Sequence, residues 1–149
     1  MTAFRLLISL FLLYSVDTKA QLDSNKIFEK SKGTWMRPLS SGTQILNSSG
    51  GFIHDKATFT GMKDSSVFAV FDSRVIAIQK KDNNYILITK FGEYTLTYFV
   101  LSAPVVKNFE FIKAGQYIGK LAEDDEGMFE IQIYLDKGPL RIDPNTWFK

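Results

Sequence analysis

The sequence predicts an all-β domain, compact and antiparallel, of the sandwich or barrel kind. Three observations carry that reading. Apolar residues come in short runs divided by turn residues, and no stretch keeps a 3.6-residue period for long enough to make a helix. In 149 residues, 45% are hydrophobic and 14% aromatic, enough for one core and one domain. The tightest connections are Asp72-Ser73, Asp82-Asn83-Asn84 and Gly92-Glu93, whose residues tolerate the backbone angles of short antiparallel turns. In chain order the predicted strands are Val67 to Phe71, Arg74 to Lys80, Tyr85 to Phe91, Tyr94 to Leu101, Tyr117 to Leu121 and Met128 to Leu135. In the last of these, Phe129, Ile131, Ile133 and Leu135 form an apolar face, while Met128, Glu130, Gln132 and Tyr134 form an open one. Tyr94 to Leu101 turns apolar on both faces toward its end, which predicts a central strand with Thr95 and Thr97 partly covered.

Charge and composition exclude several functions. There are 18 Lys and Arg against 16 Asp and Glu, too even a balance for a nucleic-acid partner, and no basic stripe stands out. With no Cys and a single His, thiol nucleophiles, Cys-based zinc sites and His-rich centres are out of reach. Residues 1–20 read as a signal peptide: Arg5 precedes the apolar run Leu6 to Val16, and Thr18-Lys19-Ala20 offers a small-residue cut. The run is shorter than the roughly 20 residues of a membrane span, so no membrane association is expected after cleavage. Removing Arg5, Lys19 and Asp17 leaves 16 basic against 15 acidic residues. Residues 21–34 form a polar lead, and residues 35–149 the domain. The protein is expected to be exported, to a periplasm or the extracellular space.

Several segments together resemble a known family. Val106-Lys107 followed by Ile112-Lys113-Ala114-Gly115-Gln116-Tyr117-Ile118-Gly119 is similar to the "V-K-x-G … V-K-x-G-Q-x-I-G" signature of lysostaphin-type zinc endopeptidases, metallopeptidase family 23. Tyr98 to Ser102 resembles the family's Y-x-H-L-S strand, and Val67-Phe68-Ala69 through Arg74-Val75-Ile76 its central hairpin. Phe129 to Ile133 with Gly138 and Ile142-Asp143-Pro144 resembles the closing "L-H-F-E-I … G … V-D-P" segment, and Trp35 to Leu39 the opening one. The resemblance implies the duplicated-hybrid-motif fold and a groove. In active members a His-x-x-x-Asp motif and the second His of a His-x-His strand hold zinc, and the substrates are peptidoglycan peptides.

At the family's catalytic positions this sequence carries other residues. Counting back from Val67 without gaps puts His54 at the first ligand and Thr58 at the Asp; sliding to Gly61-Met62 gives Phe59 and Lys63 instead. Val100 replaces the imidazole of the Y-x-H strand. Met128 and Glu130 occupy the His-x-His positions, with Gln132 where Glu follows. Val100 and Met128 transfer no protons, and a lone imidazole needs at least two further donors to hold zinc. The plainer reading of His54 is a surface or hydrogen-bonded imidazole, and of Glu130 a solvated carboxylate. The acidic turn Glu123 to Glu126 lacks the spacing of a calcium loop.

The expected function is therefore a noncatalytic binding or regulatory module at the cell wall, a pseudoenzyme with no catalytic residues, cofactor or metal. Its groove candidates are Tyr98, Met128, Glu130, Gln132 and Tyr134, with Tyr94 a further aromatic for the open face. Its partner would be a peptidoglycan peptide or a cell-envelope protein such as a wall hydrolase. Two alternatives stand beside it: a zinc endopeptidase with an unusual site built on His54 and Glu130, and a structural subunit of an envelope assembly.

Overall fold

The computed structural model describes residues 18–45 and 54–149. Most of the proposed signal segment lies outside the described residues. Residues 18–30 form a helix, α1, that runs through Ala20. The strands are β1 (Thr43–Gln44), β2 (Ala57–Gly61), β3 (Ser66–Phe68), β4 (Ser73–Lys81), β5 (Asn84–Phe91), β6 (Tyr94–Leu101), β7 (Ala103–Pro104), β8 (Phe111–Ile112), β9 (Tyr117–Lys120), β10 (Phe129–Lys137) and β11 (Leu140–Ile142). A 3₁₀ turn, Asn145–Trp147, follows. All strand pairing is antiparallel.

The large sheet has the order β1-β2-β10-β6-β5-β4-β8, with β11 pairing the end of β10, and it curls into a half-barrel. A small sheet, β3-β9-β7, completes the core. Three hairpins drive the meander. Each has a two-residue turn whose first residue has positive φ: Asp82 at 54°, Gly92 at 59° and Gly138 at 54°. That geometry matches the right-handed twist of the flanking strands. The inner face of the large sheet presents Phe59, Leu87, Leu96, Ile131 and Ile133 to Val67 and Ile118 of the small one, all buried.

Residues 21–34 are a docked element and more than a polar lead. Only Asn25 and Phe28 of α1 are buried, one helical turn apart, and the rest of the helix faces water. A two-residue contact stripe is too narrow to show as amphipathic periodicity. Phe28 nevertheless sits in an aromatic cluster, with ring centroids 4.1 Å from Tyr94, 4.7 Å from Phe71, 5.0 Å from Trp147 and 5.4 Å from Trp35. Polar clamps flank it. Asn25 Oδ1 accepts the Glu93 N–H at 2.9 Å, and its Nδ2 donates to the Glu93 carboxylate at 2.7 Å. Gly33, at φ 77°, then turns the chain into Trp35. There the two ends of the domain meet: the Trp35 N–H donates to Trp147 O at 2.9 Å, the Lys149 N–H donates to Trp35 O at 3.0 Å, and Trp35 bridges Phe148 in parallel.

Glu29 on α1 accepts hydrogen bonds from Lys137 Nζ at 2.8 Å and the Tyr94 hydroxyl at 2.6 Å. These contacts, the Lys137 bond foremost, hold its carboxyl below the ordinary 4.5. A depressed carboxyl stabilises the fold above its unfolded pKa, and that contribution is lost as pH falls through the folded value. Stability is therefore expected to decline on acidification below about pH 4.5. Glu29→Gln should flatten that limb of a denaturation-versus-pH profile, whereas an unchanged slope would remove Glu29 from the account.

Candidate functional site

The open face of the large sheet is built by alternation. On β10 the odd residues enter the core and Glu130, Gln132 and Tyr134 point the other way. Register sets Thr60 beside Glu130 and Thr58 beside Gln132 on β2, and Phe99 beside Gln132 and Thr97 beside Tyr134 on β6. The polar side chains on β10 link along the strand: Gln132 Nε2 donates to Glu130 Oε1 at 2.8 Å, and the Tyr134 hydroxyl donates to Gln132 Oε1 at 2.8 Å. This row fixes the orientation of the Gln132 amide. Phe99 and Tyr134 meet edge to face at 6.1 Å, with Lys81 Nζ 4.4 Å from the Phe99 ring and the Arg141 guanidinium 4.6 Å from the Tyr134 ring. Lys81 belongs to β4, two strands from Phe99 in the sheet. Such contacts hold cations by the negative faces of the rings.

Beside the upper end of this row lies a cavity of about 360 Å³ lined by Ser41, Thr43, Thr60, Gly61, Met62, Lys63 and Met128. The half-buried Met128 thus faces a recess together with Met62 and Lys63. The alternation Ala57-Thr58-Phe59-Thr60-Gly61 was the sequence signal for the strand that supplies its wall.

The remaining predicted positions are placed as follows. Phe59 is fully buried against Phe148, and Thr58 is the β2 residue paired with Gln132. His54 is on the surface, its side chain 85% exposed, and its Nδ1 donates to Asp143 at 2.9 Å. Burial raises the Asp143 pKa, but the bonds from His54 and Asn145 outweigh it and hold the carboxyl below 3.8. His54 and Glu130 thus have separate partners. Val100 falls in β6, where the register against β5 shifts. Tyr98 and Tyr94 are a correction: both are buried in the core, not on the open face. Tyr98 accepts the Val70 N–H at 3.0 Å on its hydroxyl, and burial pushes its phenol pKa up. Tyr134 alone of these tyrosines lies on the open face.

The chain has counterparts among solved structures. It aligns with lysostaphin at a TM-score of 0.59, 14% identity, over 80% of this chain and 56% of that one. The fold is of the lysostaphin type. Csd3 of Helicobacter pylori matches at 0.55 and 21% identity over 76% of this chain and 32% of its own, so this chain spans about a third of that protein's length. A chain of the SpoIIQ–SpoIIIAH pore-forming complex matches at 0.56 and 18% identity over 73% of this chain and 72% of that one. No family profile matches the sequence, and no curated protein matches it. Among the described residues no three His, Asp or Glu side chains converge on a common point. With His54 bonded to Asp143, Thr58 a weak donor and Glu130 a single carboxylate, this set does not fit a zinc ion that needs three protein ligands.

Proposed function

We propose that this chain is a noncatalytic binding or regulatory module of the cell envelope, a lysostaphin-type domain that has lost its zinc site and keeps the open face of its large sheet as a binding surface. The observation that carries this reading is the row Glu130–Gln132–Tyr134. Where the resembling peptidases carry two imidazoles and then a Glu, this strand has Met128, the Glu130 carboxylate and the Gln132 amide, the last two bonded to one another. Flanked by the Phe99–Tyr134 pair, the row offers acceptors and donors to a peptide and apolar surface to its side chains. Its partner would be a peptidoglycan peptide or an envelope protein such as a wall hydrolase, reached by export on residues 1–20. No helix among the described residues is long and apolar enough to cross a membrane.

The likeness to a chain of a pore-forming complex favours a second reading, a structural subunit of an envelope assembly. It would use the same fold as a scaffold.

After incubation with zinc and dialysis, elemental analysis is expected to find far less than one zinc per chain. Near-stoichiometric zinc that is lost in His54→Ala would overturn the proposal and revive a peptidase built on His54 and Glu130. Tyr134→Ala and Glu130→Gln are expected to weaken co-sedimentation with purified peptidoglycan, or capture of a purified wall hydrolase, by about tenfold. Binding that survives both changes would move the contact off this face.

A further inference from the structure

A second assembled group occupies the opposite corner of the sheet from Glu130. Arg74 on β4 pairs with Phe111 on the edge strand β8. Its guanidinium carbon lies 5.5 Å from the Phe111 ring centre and 5.8 Å from that of Phe109, and its Nε donates to the Phe109 carbonyl at 3.2 Å. Both phenylalanines are exposed, Phe109 at 66% and Phe111 at 69%. A ring two-thirds exposed gains little from burial, yet Phe109 holds φ at 68°, a conformation that bulky residues rarely adopt. The surrounding loop is tied down. The Phe109 N–H donates to Val75 O at 2.8 Å, the Val75 N–H to Glu110 O at 2.8 Å, and the Lys107 N–H to the Glu110 carboxylate at 2.9 Å.

What this rigid corner leaves unused is the fork of Arg74. No partner engages its two terminal nitrogens among the described residues, although stacking and the Nε bond already restrict the side chain. Lys90 stands directly across from it on β5, Lys107 lies at the base of the loop, and Glu110 is already bonded within the loop. The corner is therefore basic and apolar at once. A planar guanidinium with both terminal nitrogens available matches a carboxylate in two parallel hydrogen bonds, and prior immobilisation lowers the entropy cost of binding. Arg and aromatic residues are also the types enriched at protein interfaces.

We propose that the Arg74–Phe109–Phe111 corner docks an acidic segment of a partner protein, with a carboxylate seated on the Arg74 fork and apolar neighbours packed on the two rings. This surface is separate from the Glu130 row, and its test does not depend on that row.

The test is NMR titration of the full chain with the capped peptide Phe-Glu-Phe, its Phe-Gln-Phe counterpart, and vesicles of phosphatidylglycerol. Phe-Glu-Phe is expected to shift the Arg74 Nε–H and the Phe109 and Phe111 amides, and to bind about tenfold more tightly than Phe-Gln-Phe. Arg74→Lys keeps the charge and loses the fork, and should weaken Phe-Glu-Phe by about tenfold. Phe109→Gly keeps the backbone conformation without strain, so the fold persists while binding drops. No shift up to about 10 mM peptide, a concentration that bounds very weak binding, would overturn the proposal. So would equal binding of the two peptides, or binding confined to the anionic vesicles.

Discussion

Phe28→Ala is expected to destabilise the domain by about 4 kcal/mol, the range for removing a fully buried phenyl ring. The ring is at 0% exposure and is shared by the helix, the Trp35 segment, the β3–β4 connection at Phe71, the β5–β6 hairpin at Tyr94 and the C-terminal turn. No single neighbour can close the cavity without leaving another. Against a typical total of about 5–15 kcal/mol, the loss would bring the domain near its unfolding threshold. Ile27→Ala, one residue away and 56% exposed, is expected to change stability by no more than about 0.5 kcal/mol. Urea denaturation of the two variants checks the pair. A loss below about 1 kcal/mol for Phe28→Ala would mean that α1 only rests on the domain.

Gly119→Ala is expected to cost about 3 kcal/mol through backbone strain and overpacking. A Cβ there would lie 2.6 Å from the Ala103 carbonyl oxygen and 3.0 Å from Pro104 Cα, with φ at 156°. Both obstacles are backbone of the paired strand β7, so relief requires pulling the small sheet apart. Gly61→Ala is the control. Its nearest neighbour would be at an ordinary 3.7 Å, and the change should stay within about 1 kcal/mol. Thermal or urea unfolding that ranked the two variants equally would discard the steric account.

The same glycine explains what the sequence could reveal. Val106-Lys107 with Ile112 to Gly119 carried the strongest resemblance, and the structure gives residues of this run architectural work. The Lys113 N–H donates to Gln116 Oε1 at 3.0 Å, Gly115 turns at φ 79°, and Gly119 admits β7. Turn chemistry and close backbone approach are local demands on residue type, so they are legible, but they inform about fold and not about reaction. The hairpins at Asp82 and Gly92 were legible for the same reason. Strand β2 was missed because its threonines interrupt the apolar run, and α1 because Asn25 and Phe28 are its only buried residues. The face of β10 could be read from its alternation. On β6 the tyrosines misled: an aromatic with a hydroxyl suits either face, and Tyr98 goes inward because Val70 supplies a donor for its oxygen.

The clasp between Trp35 and residues 147–149 also has a consequence in time. The aromatic cluster closes only when Trp147 is in place, and Trp147 lies 112 residues along the chain from Trp35 (147 − 35). Contacts between residues so far apart in sequence form slowly, because the entropy of closing the long loop must be met first. The clasp thus forms late in folding, and deletion of residues 147–149 would leave the rings of Phe28 and Trp35 without their cover.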